Sequence, residues 1–210
     1  MTDLVQQLIT VGRKAVAAGL VIGSGGNLSA RDPGSDECVV TASGTWLDDL
    51  CPQDFSLVGI CDGAVRGGNP KPSSEVQLHL ATYLVRPDVN AIVHLHPQTS
   101  VLLDATGHPI RLLTIDHAYY VREIRSTPFI QSGTPELAEA GAHAAADGCN
   151  CVILGHHGCS VLGETVELAH KRAANLEEAA RATLTMLQLG DTTTACPPEY
   201  LQRVRAGESA

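Results

Sequence analysis

Apolar residues recur along the chain with two different periods, and the switches between them mark out its elements. Leu4, Leu8, Val11, Ala15 and Ala18 fall three or four apart behind Thr2 and Asp3, which predicts an amphipathic opening helix ending near Gly19. Two short runs, "CVVTAS" at 38–43 and "SLVGI" at 56–60, read as strands joined through a stretch that contains Pro52. The segment "SSEVQLHLATYLVRP" predicts a helix in which Ser74 and Gln77 have capping-box spacing and Val76, Leu80, Tyr83 and Leu84 line one face. Pro87 closes that helix, and "NAIVHLH" at 90–96 follows as a buried strand.

Residues 134–147 carry a clearer helix signal, with Thr134 as cap, Pro135 at the first helical position, Glu136 in the first turn and Gly148 just past the end. "NCVILG" at 150–155 is another strand. A last long helix is expected from about Thr165 to Gly190, with Ala169, Ala173, Leu176, Ala180, Leu184 and Leu187 inward and the pairs Glu167–Lys171 and Glu177–Arg181 outside. This irregular alternation points to a sheet covered by helices, either α/β or a layered α/β/α sandwich, and leaves strand direction open. At 210 residues without repeat or long linker, residues 1–210 are expected to form a single domain with an irregular tail from about 191.

Composition narrows the partners. The net charge of −9 without a basic block argues against nucleic acid and against an electrostatic membrane patch. An anionic substrate then needs a locally positive site. The N-terminus lacks the pattern of a signal peptide, and no apolar run reaches the length of a membrane span, so a cytoplasmic protein is expected. Seven scattered cysteines, never spaced as CxxC, indicate buried thiols rather than a disulfide framework or a cysteine zinc site.

Candidate chemistry lies in five short segments. On a strand His94 and His96 point the same way, with Leu95 turned to the core. Two imidazoles on one face suit a metal ion, and a catalytic zinc site calls for a third ligand. "ILGHHGCSVLG" at 153–163 offers it in His156 or His157, ahead of Gly158. The other histidines, His79, His108, His117, His143 and His170, read as solvated or hydrogen-bonded fillers. "GSGGNLSAR" at 23–31 lacks the order of a nucleotide loop, yet its glycines permit close backbone approach to an anion and Asn27 adds a donor. "TASGTW" sets Ser43, Gly44 and Thr45 at a strand end. "KPSSE" at 71–75 sets Ser73 and Ser74 at a helix N-terminus, where amides and the helix dipole favour phosphate. Glu75 stands beside them as a candidate proton carrier. Each segment alone also has an ordinary structural reading, as a cap, a turn or a packed strand.

Together, "GSGGNLS", "ASGT", "KPSSE", "VHLH" and "HHG", in that order over roughly residues 20–165, resemble the zinc-dependent class II aldolase/adducin family. L-fuculose-1-phosphate aldolase and L-ribulose-5-phosphate 4-epimerase are familiar members. The resemblance implies a three-layer α/β/α sandwich with a mostly antiparallel central sheet, assembled as a homotetramer. It implies zinc on His94, His96 and His157, with His156 where the family commonly has asparagine; cobalt, manganese or nickel also suit such ligands. It makes Asn27, Ser43, Gly44, Ser73 and Ser74 binding positions for a substrate phosphate and Glu75 the acid/base, which leans toward cleavage of a ketose 1-phosphate. A catalytic tyrosine is expected among Tyr119, Tyr120 and Tyr200, and Asp116 is the proton carrier of an epimerase reading. Epimerisation, dehydration and decarboxylation of phosphorylated sugars remain alternatives within the fold, and a non-catalytic adducin-like binding module is the alternative outside it.

Overall fold

The computed structural model describes residues 2–207. Its strands in chain order are β1 (Asn27–Ala30), β2 (Glu37–Thr41), β3 (Phe55–Gly59), β4 (Val65–Gly68), β5 (Ala91–Leu95), β6 (Ile124–Thr127), β7 (Cys151–Leu154) and β8 (Gly158–Gly163). Its helices are α1 (Thr2–Ala17), α2 (Val76–Val85), α3 (Gln98–Ala105), α4 (Ile115–Val121), α5 (Pro135–Ala145), α6 (Val166–Gln188) and α7 (Pro198–Arg205). The strands make one sheet in the order β4-β3-β2-β1-β5-β8-β7-β6. Every neighbouring pair is antiparallel except β6–β7. None of the described helices is long and apolar enough to cross a membrane.

The two faces of the sheet carry separate cores. Leu8 and Ala15 of α1 and Ala169 and Leu176 of α6 pack with Leu28, Val93, Leu95 and Val161 on one face. Leu78 and Leu80 of α2 and Leu137 of α5 pack with Val40, Ile92, Val152 and Leu162 on the other. Burial on both faces explains why β5 and β7 read as continuous apolar runs rather than alternating ones. Ile92 facing α2 also settles the direction of His94, which the two-residue period sends to the same side.

Most caps follow the sequence. Thr134 Oγ1 accepts from Leu137 N at the start of α5 and Thr165 Oγ1 from Leu168 N at the start of α6. Five of the seven cysteines are buried. Other expectations fail for identifiable reasons. Ser74 does not cap α2: Glu75 holds the N-cap position, and its amide donates to Ser73 Oγ at 3.2 Å. Leu84 is exposed, and His79 and Leu78 take its place inside. On α6, Leu184 is exposed while Thr183 and Glu177 are buried: Thr183 Oγ1 accepts from Arg111 N, and the Glu177 carboxylate accepts from the start of α3. The tail expected to be irregular contains α7, joined to the body where Cys196 N donates to Leu112 O.

Candidate active site

The site lies where β1 begins, β5 ends and β8 begins. His94 is the penultimate residue of β5 and His96 follows its end. Asn27 opens β1 directly opposite His94. Pairing of Leu154 with Gly158 leaves a three-residue hairpin turn, 155–157, between β7 and β8. Within it His156 has φ +57° and is exposed, its ring turned toward Phe129. That left-handed conformation is one asparagine tolerates better than most residues. It sends the two neighbouring histidines in different directions, and only His157 turns inward.

The rings of His94, His96 and His157 form a triangle with centroids 4.9–5.0 Å apart. His94 Nε2 lies 3.1 Å from His96 Nε2. Glu75 Oε2 lies 3.1 Å from His94 Nε2, and Glu75 Oε1 lies 3.3 Å from His157 Nε2. One ligand atom from each of the four residues falls within 4.8 Å of all the others. Glycines make this closeness possible. A Cβ at Gly26, which has φ +76°, would stand 2.5 Å from His94 O.

Charge is set mainly by burial. Burial pushes the His96 ring down to about 4, aided by the charges of His94 and His157. The His157 ring is lowered for the same first reason. For Glu75 burial acts upward, but hydrogen bonds and charge from His94, then His157 and Asn27, hold its carboxyl well below the usual range. Neutral imidazoles and an ionised carboxylate are the forms that bind metals. The donor set fits a divalent ion: tetrahedral zinc with bonds near 2.0–2.1 Å separates its ligand atoms by roughly 3.3 Å, close to the separations found.

Beside the cluster opens a polar pocket of about 150 Å³ lined by Ser24–Asn27, Ala42–Thr45, Ser73–Glu75, Ser132, His96 and His157. The loops are pinned together: Ser43 N donates to Lys71 O and Ser73 N to Thr41 O, each at 3.0 Å. All five expected phosphate contacts, Asn27, Ser43, Gly44, Ser73 and Ser74, thus line one cavity with Glu75. Tyr119, Tyr120 and Asp116 instead lie on α4 and Tyr200 on α7, and none lines this pocket.

Two residues of the site were not singled out from the sequence. Ser132 Oγ donates to Glu75 Oε1 at 2.9 Å; its "QSGT" context before the α5 cap resembles the other serine and glycine segments. His79, expected to be a solvated or hydrogen-bonded filler, is of the hydrogen-bonded kind: fully buried, it bonds to Asn27 Oδ1 at 2.5 Å. Its place four residues after Glu75 was the available signal, since residues four apart share a helix face.

Residues 6–184 match the family described as Class II Aldolase and Adducin N-terminal domain. The chain belongs to that family. Among curated relatives, the L-fuculose phosphate aldolase of Methanocaldococcus jannaschii is 33% identical over 85% of this chain and 94% of its own length. The 5-methylthioribulose-1-phosphate/5-deoxyribulose-1-phosphate aldolase of Rhodospirillum rubrum is 35% identical over 94% of this chain and 87% of its own. A 3-oxo-tetronate 4-phosphate decarboxylase of Haemophilus influenzae is 32% identical over 89% and 90%. A solved L-fuculose 1-phosphate aldolase superposes with a TM-score of 0.89 at 28% identity, covering 99% of this chain and 96% of the other. The fold is therefore that of the class II aldolases, and the chain is an enzyme of the aldehyde-lyase type with a Glu/His3 cluster fit to hold a metal ion.

Proposed function

We propose that this chain is a zinc-dependent aldolase that cleaves a ketose 1-phosphate of the L-fuculose-1-phosphate kind into dihydroxyacetone phosphate and an aldehyde. The observation that carries this reading is the convergence of three imidazoles and Glu75 on a serine- and glycine-lined pocket. His94, His96 and His157 hold the metal. When bound, zinc supplies a Lewis acid that draws charge from the ketose carbonyl as the C3–C4 bond breaks.

The chain's own residues do the rest. Ser43, Gly44, Ser73, Ser74 and Asn27 bind the phosphate, helped by the N-terminus of α2 that opens into the pocket. No lysine or arginine is among the lining residues, so hydroxyls, amides and the cation provide the locally positive site that a chain of charge −9 requires. Glu75 moves the proton at C3. In condensation its carboxylate removes that proton. In cleavage the C4 hydroxyl gives up a proton as the C3–C4 bond breaks while Glu75, once protonated, delivers one to C3, so no proton is consumed overall. Asn27 and Ser132 hold its two oxygens. No lysine Schiff base is needed. The protein acts in the cytoplasm as a homotetramer of single-domain subunits.

Decarboxylation of a phosphorylated sugar acid is the second reading, favoured by the decarboxylase relative. An assay of the zinc-loaded protein on a panel of ketose 1-phosphates and phosphorylated 3-oxo acids separates the two. Release of dihydroxyacetone phosphate is expected, and carbon dioxide without it would replace the aldolase reading. Glu75→Gln should keep its zinc and lose cleavage by roughly 100-fold or more. A variant with full activity would remove Glu75 from the role.

A further inference from the structure

A buried polar seam between α2 and β1 goes beyond the groups used above. Glu75, the N-cap of α2, and His79 and Tyr83 within the helix stand four apart, so they share one face. Asn27, Ser29 and Arg31 alternate along β1 and its end, so they share one face of the sheet. Four helical residues advance about 6 Å and two strand residues about 6.6 Å, so the two rows stay in step over three positions. They meet in an unbroken chain. Tyr83 Oη lies 2.8 Å from Ser29 Oγ, Ser29 Oγ 2.6 Å from His79 Nδ1, His79 Nε2 2.5 Å from Asn27 Oδ1, and Asn27 Nδ2 3.0 Å from Glu75 Oε2. The guanidinium of Arg31 covers the Tyr83 ring at 4.7 Å. All of these side chains are buried, His79 and Ser29 completely.

One ionised group at the end of the chain dictates every proton in it. A carboxylate only accepts, so Asn27 turns its NH2 to Glu75 and its carbonyl to His79. That carbonyl only accepts as well, so His79 Nε2 donates. A neutral imidazole carries a single N–H, so Nδ1 accepts from the Ser29 hydroxyl, and Ser29 Oγ in turn accepts from Tyr83 Oη. Complete burial, which pushes the His79 ring down to about 3, keeps it neutral.

We propose that His79 is a positioning residue of the active site, held as its Nε2–H tautomer, which fixes the Asn27 amide and through it the Glu75 carboxylate. The inference rests on the proton-carrying role given to Glu75. Hydrogen bonds that all run in one direction polarise one another, and an amide locked from behind presents Glu75 with a donor of fixed orientation. Without that partner the amide would keep its NH2 toward the carboxylate but swing about its side-chain torsions, so the donor offered to Glu75 would lose its fixed orientation.

The test uses the zinc-loaded full chain labelled with 15N histidine. The His79 ring, identified by the signals that vanish in His79→Gln, should be the neutral Nε2–H tautomer. An Nδ1–H tautomer or a cationic ring overturns the proposal. His79→Leu, Asn27→Ala and the double variant are then compared in release of dihydroxyacetone phosphate. Each single change should lower kcat by roughly 10- to 100-fold, the cost of a misplaced reacting group. KM should move much less in His79→Leu, whereas Asn27→Ala also removes a phosphate contact and raises it. The double variant should be no slower than Asn27→Ala, because His79 acts through Asn27. His79→Gln, whose amide can still donate to Asn27, should recover most of the rate. Losses that simply multiply, or a lowered unfolding midpoint with unchanged kcat per bound zinc, would make His79 a structural cross-link and overturn the proposal. A wild-type protein that releases no dihydroxyacetone phosphate would sink the aldolase reading instead, leaving the tautomer to decide the placement of His79.

Discussion

A side chain has no room at Gly158. A Cβ there would stand 2.5 Å from Leu95 O and 2.6 Å from His96 Cδ2. Gly158→Ala should therefore push His96 off the other two rings. The expected outcome is a zinc affinity at least about tenfold weaker, the upper scale of supporting-shell changes being near 100-fold, with a stability loss of roughly 1–3 kcal/mol from overpacking. Competition against a chelator reads the first and urea denaturation the second. Unchanged affinity would mean that His96 does not depend on the β7–β8 hairpin. At this scale the sequence was informative where spacing is the whole story: HxH on a strand keeps two rings on one face wherever the strand lies. It left His156 and His157 undecided by spacing, because the choice depends on one backbone angle, and only the family resemblance named His157. It missed His79 and Ser132, whose partners lie 52 and 57 residues away along the chain.

Glu177 shows how an element can depend on another's side chain. It sits on α6, is only 2% exposed, and accepts from Thr99 N, Ser100 N and Ser100 Oγ at 3.2, 2.9 and 2.9 Å. It thereby caps α3, the helix that begins two residues after His96, in place of Pro97, which offers no side-chain cap. Glu177→Ala should destabilise the protein by about 1–3 kcal/mol, since buried donors at a helix start lose their acceptor. Urea denaturation of the metal-free protein checks this, and a change within error would show that solvent replaces the cap. The sequence suggested an exposed Glu177–Arg181 pair, and that pair does exist at 3.1 Å. The capping was hidden because α3 has no signal of its own. Long elements with side-chain caps, α5 and α6, were legible from local chemistry. Four-residue β1 was hidden behind its glycine loop, and β4, mostly exposed and ending in two glycines, has no apolar period.

The whole molecule joins two cores across one sheet and places its polar chemistry at the strand ends of the α2/α5 face. The layered architecture was readable from alternating helices and strands. The strand directions came only from the family resemblance, since alternation of side chains is the same in parallel and antiparallel strands. Burying neutral histidines has a consequence for the fold as a unit. His96 is lowered from 6.5 to about 4 and His79 from 6.5 to about 3. Below 6.5 the unfolded chain therefore binds protons that the folded chain refuses, so stability falls as pH falls. The loss begins near 6.5, ends near 4 for His96 and continues to about 3 for His79. The depressed Glu75 carboxyl acts in the same direction at lower pH. Urea midpoints of the metal-free protein should drop between about pH 7 and about pH 5, and a flat or rising profile would show that these rings titrate freely in the fold.

The account stands on one ion held by three rings. Anomalous diffraction at the zinc edge, from crystals of the purified protein supplied with zinc, tests it most directly. One peak is expected, within bonding distance of His94, His96 and His157 beside the serine-lined pocket. No peak at that place, or a peak bound only by surface residues elsewhere, would contradict it.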